Sequence, residues 1–136
     1  MSVILSVLRD WKNFSGRSGR NEYWWFTLWY GLATLVLMML DTYLFGDAAG
    51  YGGYHLQIGP SATATVHPLN LANAFGLVTL IPIMALSVRR LHDIGRSGFW
   101  LLLLLTIFGL FVLAYWAVKP GDPKRNAFGE VPDQAE

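Results

Sequence analysis

Arg89-Arg90-Leu91-His92-Asp93-Ile94-Gly95-Arg96-Ser97-Gly98-Phe99-Trp100 lies between two long apolar runs. Residues 69–88 are uncharged for twenty positions before it, and residues 98–118 for twenty-one from its last glycine onward. A third such run, 23–40, resumes after Asp41 and reaches position 45. About 20 apolar residues carry a helix across the hydrocarbon core of a bilayer. A soluble chain of 136 residues has no interior that buries three helices that are apolar on every side. Five ionisable groups fall within the twelve quoted residues of a chain that is only 14% charged. A charge facing hydrocarbon costs roughly 2.5–3.5 kcal/mol, so this cluster belongs at a water interface.

The expected fold class is all-α and membrane-embedded, one domain over 1–136. Three spans are expected at 23–45, 69–88 and 98–118, joined by an outer loop 46–68 and followed by a tail 119–136. Residues 3–14 place Ile4, Val7, Leu8, Trp11 and Phe14 on one helical face, opposite most of Arg9, Asp10, Lys12 and Asn13. That spacing predicts an amphipathic helix lying in the interface or packing against the ends of the spans. In the outer loop, 54–58 and 63–66 are spaced to pair as a short hairpin around Gly59-Pro60. Pro82 interrupts the hydrogen bonding of the second span and frees the carbonyl of Val78.

Lysine and arginine number ten: four precede the first span, none lies in 46–68, three are in the central motif, and three follow Val118. With three spans, the positive-inside rule predicts a cytoplasmic N-terminus and central motif, with loop 46–68 and the tail outside. No cleavable signal peptide is expected, because Arg9 and Lys12 follow the apolar start instead of preceding it. The absence of cysteine excludes disulfides, thiolate metal sites and a cysteine nucleophile.

Gly-Arg-Ser-Gly occurs at 16–19 and again at 95–98, each time ahead of an aromatic-led apolar run. Around these two segments gather Arg17, Arg20, Glu22, Arg89, Arg90, His92, Asp93 and Arg96, the candidate contacts for a headgroup or a partner. If the second span stays helical, Arg89 and Asp93 are i,i+4 neighbours able to pair, leaving Arg90 for Glu22 or a lipid phosphate. The cluster uses five arginines and no lysine. Planar guanidinium groups hold phosphate through paired hydrogen bonds that an ammonium cannot reproduce. The plainer reading is that the charges only set topology. His92 beside Asp93 suggests proton transfer, yet adjacent helical residues point about 100° apart, a poor relay geometry. No catalytic residue is therefore assigned. His55, His67 and His92 lack ligand spacing, so no metal or other cofactor is expected.

Three segments together resemble a known family. They are Gly16-Arg17-x-x-Arg20-x-Glu22-Tyr23-Trp24, Arg89-Arg90-Leu91-His92-Asp93-x-x-Arg96-Ser97, and Asn126-x-Phe128-Gly129-x-x-Pro132. The likeness is to the small bacterial inner-membrane family catalogued as domain of unknown function 805, and it covers about residues 1–132. Family members often have a tryptophan pair where this chain has Phe99-Trp100, and a proline-aspartate-proline run where it has Glu130-Val131-Pro132. The resemblance implies a bacterial inner-membrane protein of about three helices and supplies no activity. The leading expectation is a non-enzymatic membrane protein whose Arg/His/Asp cluster engages anionic headgroups, a protein partner or a second copy of itself. Nucleic acid is not an expected partner. The alternatives are a small membrane enzyme acting on a phosphorylated lipid, and an oligomeric channel or transporter subunit.

Overall fold

The computed structural model describes residues 3–45, 54–57, 63–66 and 70–132. Its elements, in chain order, are α1 (Val3–Arg9), α2 (Arg20–Phe45), β1 (Tyr54–Gln57), β2 (Thr63–Val66), α3 (Leu71–Asp93), a 3-10 helix (Gly98–Leu105) and α4 (Ile107–Val118). They fall into two compact units, Met1–Trp29 with Leu80–Glu136, and Tyr30–Thr79.

Among the described residues, α2 and α3 are the two helices long and apolar enough to cross a membrane. At about 1.5 Å per residue, the 26 residues of α2 extend about 39 Å and the 23 of α3 about 35 Å. Both exceed the roughly 30 Å of a hydrocarbon core. Their outward faces carry Leu28, Leu32, Leu35, Val36, Met39, Leu77, Val78 and Leu80, all exposed. A surface this apolar is matched to lipid, not to water. α3 continues through Pro82 to Asp93.

In the unit formed by Tyr30–Thr79, Asp41 explains itself. Its two carboxylate oxygens accept from the backbone N–H groups of Leu71 and Ala72, at 2.9 and 3.0 Å. A carboxylate carried on α2 thereby satisfies two otherwise orphaned donors in the first turn of α3 and complements the helix dipole. Asn70 accepts from Asn73 N–H at 2.7 Å as a local cap. The rings of Tyr30 and Phe75 stack with centroids 5.6 Å apart. β1 and β2 pair antiparallel, with Tyr54 opposite Val66 and Gln57 opposite Thr63. Position 58 of the expected hairpin lies outside the described residues.

In the other unit, Val7 of α1, Phe26 of α2 and Leu86 of α3 form the core, with Tyr23, Trp29 and Ile83 packed around it. The N-terminal helix thus packs on the helix ends through Val7. It is also shorter than the expected 3–14, ending at Arg9. Asn13 bends the chain beyond it by accepting from Ser15 N–H at 3.0 Å, a turn that competes with helix. Trp11 and Phe14 are left exposed.

The segment 98–118 corrects the expectation of a third continuous span. Thr106, with φ −120° and ψ 142°, is extended and divides a 3-10 helix from α4. Its hydroxyl accepts from Gly109 N–H at 3.1 Å and so starts α4 afresh. Eight 3-10 residues reach about 16 Å and twelve α residues about 18 Å, so neither arm crosses a bilayer alone. The arms fold back on each other: Trp100 meets Trp116 edge-on at 5.4 Å. Gly109 lies so close to Leu103 that a Cβ there would overlap the Leu103 carbonyl.

The tail then returns to the central motif. Asp122 N–H donates to the Asp93 carbonyl at 2.8 Å, and Asn126 Nδ2 to the His92 carbonyl at 2.9 Å. Residues 119–132 are therefore bonded to the motif, whereas the expected three-span topology put the tail across the membrane from it; the doubled-back segment 98–118 brings its two ends together.

Candidate polar site

Asp93 is the last residue of α3 and the centre of the site. Arg17 reaches it from the glycine-rich turn, with Nε 3.0 Å and Nη2 2.9 Å from Oδ1. Arg90, one turn back on the same helix, places Nη1 2.5 Å from Oδ2. All three side chains are buried.

The remaining donors of both arginines go to backbone carbonyls of the returning chain. Arg17 donates from Nη1 to Lys124 at 2.8 Å and from Nη2 to Asp122 at 2.5 Å. Arg90 donates to the carbonyls of Ala117, Trp116 and Lys119. The first two are terminal carbonyls of α4 and the third is that of its C-cap residue, acceptors with no partner within the helix. A cation at this helix end is also favoured by the dipole. The triad Arg17–Asp93–Arg90 therefore ties together the N-terminal turn, the end of α3, the end of α4 and the tail.

Local geometry sets this up. Gly16 and Gly95, the first residues of the two Gly-Arg-Ser-Gly segments, both adopt positive φ, at 82° and 70°. Only glycine takes this conformation at little cost. At Gly95 it terminates α3 in the usual left-handed manner, with Gly95 N–H bonded to His92 and Arg96 N–H to Leu91. Gly121 passes so close to Asp93 that a Cβ there would overlap the carboxylate. The two segments then diverge. Arg17 is buried in the triad, whereas Arg96 is exposed, its guanidinium over Trp116 at 5.0 Å and Trp100 at 5.6 Å.

The expected pairing of Arg89 with Asp93 is not the one formed. Arg90 takes the carboxylate at i+3, and neither Glu22 nor a lipid phosphate is left a free Arg90. Arg89 is buried, with 6% of its surface exposed, and its Nε and Nη2 have no hydrogen-bond partner among the described residues. Its carbonyl accepts from Ser18 N–H at 3.1 Å. Glu22 accepts from the Ser18 hydroxyl at 2.6 Å. Arg20 is exposed at the start of α2.

His92 has a structural environment. Its Nδ1 lies 3.1 Å from the Gly16 carbonyl. A carbonyl only accepts, so this nitrogen carries the proton. The ring stacks on Phe128 with centroids 4.0 Å apart and an interplanar angle of 6°. Both Asp93 oxygens are held by arginines, and His92 makes its contacts to Gly16 and Phe128. The tail residues Asn126 and Phe128 and the carbonyls of 116–124 belong to the site but were not among the candidates. Their signal was the Asn126-x-Phe128-Gly129 segment of the family likeness, which meets the other two segments in space.

The same residues carry the comparison with known proteins. Residues 11–130 match the family described as "Protein of unknown function (DUF805)". The chain belongs to this family. It is similar to "Inner membrane protein YhaH" of Escherichia coli (strain K12), 34% identical over 133 residues that cover 97% of each chain. It is also similar to "Inner membrane protein YhaI" of the same strain, 33% identical over 97% of this chain and 96% of that one. "Uncharacterized protein YiiR" is 34% identical over 85% of this chain and 64% of its own length. No solved structure matches. As a member of the DUF805 family with inner-membrane relatives, the chain is an inner-membrane protein of unassigned activity.

Proposed function

We propose that this chain is a non-catalytic inner-membrane protein whose basic cytoplasmic face contacts anionic lipid headgroups, with α2 and α3 as its two spans and 98–118 as a re-entrant hairpin. One observation carries the reading: the tail is bonded to the central motif, as in Arg17 Nη1 to the Lys124 carbonyl at 2.8 Å. Two spans then leave all ten lysines and arginines on the motif's side and none in 46–68. The basic residues of the tail, awkward for a three-span topology, now support the positive-inside assignment.

The triad holds this face in shape and is itself spent. Within the Arg/His/Asp cluster, Arg20 and Arg96 are the exposed arginines and so the ones available to headgroups, and each basic group near an anionic surface contributes roughly 1 kcal/mol. Arg96, stacked on two tryptophans, is held where aromatic side chains favour the headgroup level. Native mass spectrometry of the purified chain tests this. Wild type should carry phosphatidylglycerol or cardiolipin in preference to neutral lipid, less so as salt is added, and Arg20→Gln/Arg96→Gln should carry less. Identical lipid profiles would contradict the headgroup reading and favour a protein partner.

A further inference from the structure

Arg89 is the one charge of the motif for which neither the fold nor the surface accounts. It is 6% exposed, and its two unpartnered nitrogens are Nε and Nη2. Those atoms form one edge of the guanidinium, whose parallel N–H bonds match two oxygens of a phosphate or carboxylate. A buried guanidinium with this edge unpartnered carries its desolvation penalty uncompensated, and a bound oxyanion would offset part of it.

Three acids of the same unit make their contacts with groups other than Arg89. Asp93 is shared by Arg17 and Arg90, Glu22 accepts from Ser18, and Asp122 Oδ2 accepts from Asn126 at 3.0 Å. Two guanidinium groups on one carboxylate already leave a surplus positive charge beside Arg89. Leu86, one turn earlier on the same side of α3, sits in the core with Val7 and Phe26. Ser18, fully buried, holds the Arg89 backbone under the glycine-rich turn. Arg89 thus lies where apolar packing gives way to polar turn, which on the proposed topology is the level of the lipid phosphates.

We propose that Arg89 is the base of a buried anion subsite that takes a single phosphate group through its Nε–Nη2 edge. The subsite deepens the headgroup reading and rests on the basic face lying at the membrane surface. It differs in physical character from the contacts of Arg20 and Arg96: one ligand per chain, screened little by salt, and dependent on a planar fork.

Native mass spectrometry of the full-length chain in nonionic detergent, at about 1 M salt where the Debye length is about 3 Å, separates the two. The probes are dioctanoyl-phosphatidylglycerol, inorganic phosphate, and dioctanoylglycerol as the phosphate-free control. One phosphatidylglycerol per chain should persist in wild type and in Arg20→Gln/Arg96→Gln, and bind at least about tenfold more weakly in Arg89→Lys, which keeps charge but not the fork. Retention of inorganic phosphate alone would support the subsite with a soluble ligand. Equal retention of dioctanoylglycerol, unchanged retention in Arg89→Lys, or no salt-resistant ligand in wild type overturns it. Should Arg89→Lys fail to fold, the wild-type comparison decides alone. Failure of the surface reading shows instead as loss of the salt-sensitive lipid, with the salt-resistant one untouched.

Discussion

Arg90 and Asp93, three residues apart at the end of α3, form a buried ion pair whose other contacts are all made to distant parts of the chain. Asp93 takes Arg17 on its second oxygen, and Arg90 caps the carbonyls that end α4. A pair on a single helix turn thereby fixes how four segments meet.

Removing Arg90 should be costly. Arg90→Ala leaves two α4 carbonyls, that of Lys119 just beyond, and one oxygen of Asp93 without this donor, a loss on the order of 3–5 kcal/mol. Lys124→Ala removes an exposed side chain and should change little. Membrane abundance and thermal unfolding in detergent compare the two, and equal levels would reduce the motif to a topology signal.

Asp93→Ala should destabilise at least as much as Arg90→Ala, because it strands two buried guanidinium groups. The double variant Arg90→Ala/Asp93→Ala should cost less than the two losses added, since the groups share one interaction. Strict additivity in an unfolding titration would show that the pair is not coupled.

Gly121→Ala tests the closeness of the tail to the carboxylate. Its methyl would overlap Asp93, forcing the tail away from the motif. Gly16→Ala meets open space but must hold φ 82°, at a cost of about 1–2 kcal/mol. The first should lower the unfolding temperature more than the second; the reverse order would argue against the close approach.

The hairpin can be trapped chemically. The chain has no cysteine, so Trp100→Cys/Trp116→Cys introduces an isolated pair. Efficient cross-linking by a short bifunctional reagent in native membranes is expected. A continuous span of 98–118 would keep the two positions about 24 Å apart and unlinked.

Asp41→Ala removes the cap on the first turn of α3 and should cost about 1–2 kcal/mol, read as a lower unfolding temperature. Asp41→Asn, which retains an acceptor, should cost less.

The apolar lengths of 23–45 and 69–88 were enough to place α2 and α3, because an apolar run bounded by charge leaves few alternatives. The run 98–118 passes the same test and yet folds back. The cause is local: a threonine hydroxyl that competes for backbone donors and a glycine that admits another backbone. Hydropathy registers neither. For the site, residue type was legible and partnership was not. Arg89 and Arg90 look equivalent in sequence, and which one meets Asp93 depends on where the α4 carbonyls and Arg17 arrive. Asp41 signalled its role only as a lone charge in an apolar helix, since its targets, Leu71 and Ala72, lie about thirty residues on.

The sidedness of the tail tests the central claim most directly. Fusions of alkaline phosphatase and green fluorescent protein after Glu136 and within loop 46–68 report each side in living cells. The account predicts fluorescence without phosphatase activity at the tail, and phosphatase activity without fluorescence in the loop. Phosphatase activity from the tail fusion would contradict it, because a tail outside the membrane cannot bond to a cytoplasmic Arg17 and Asp93.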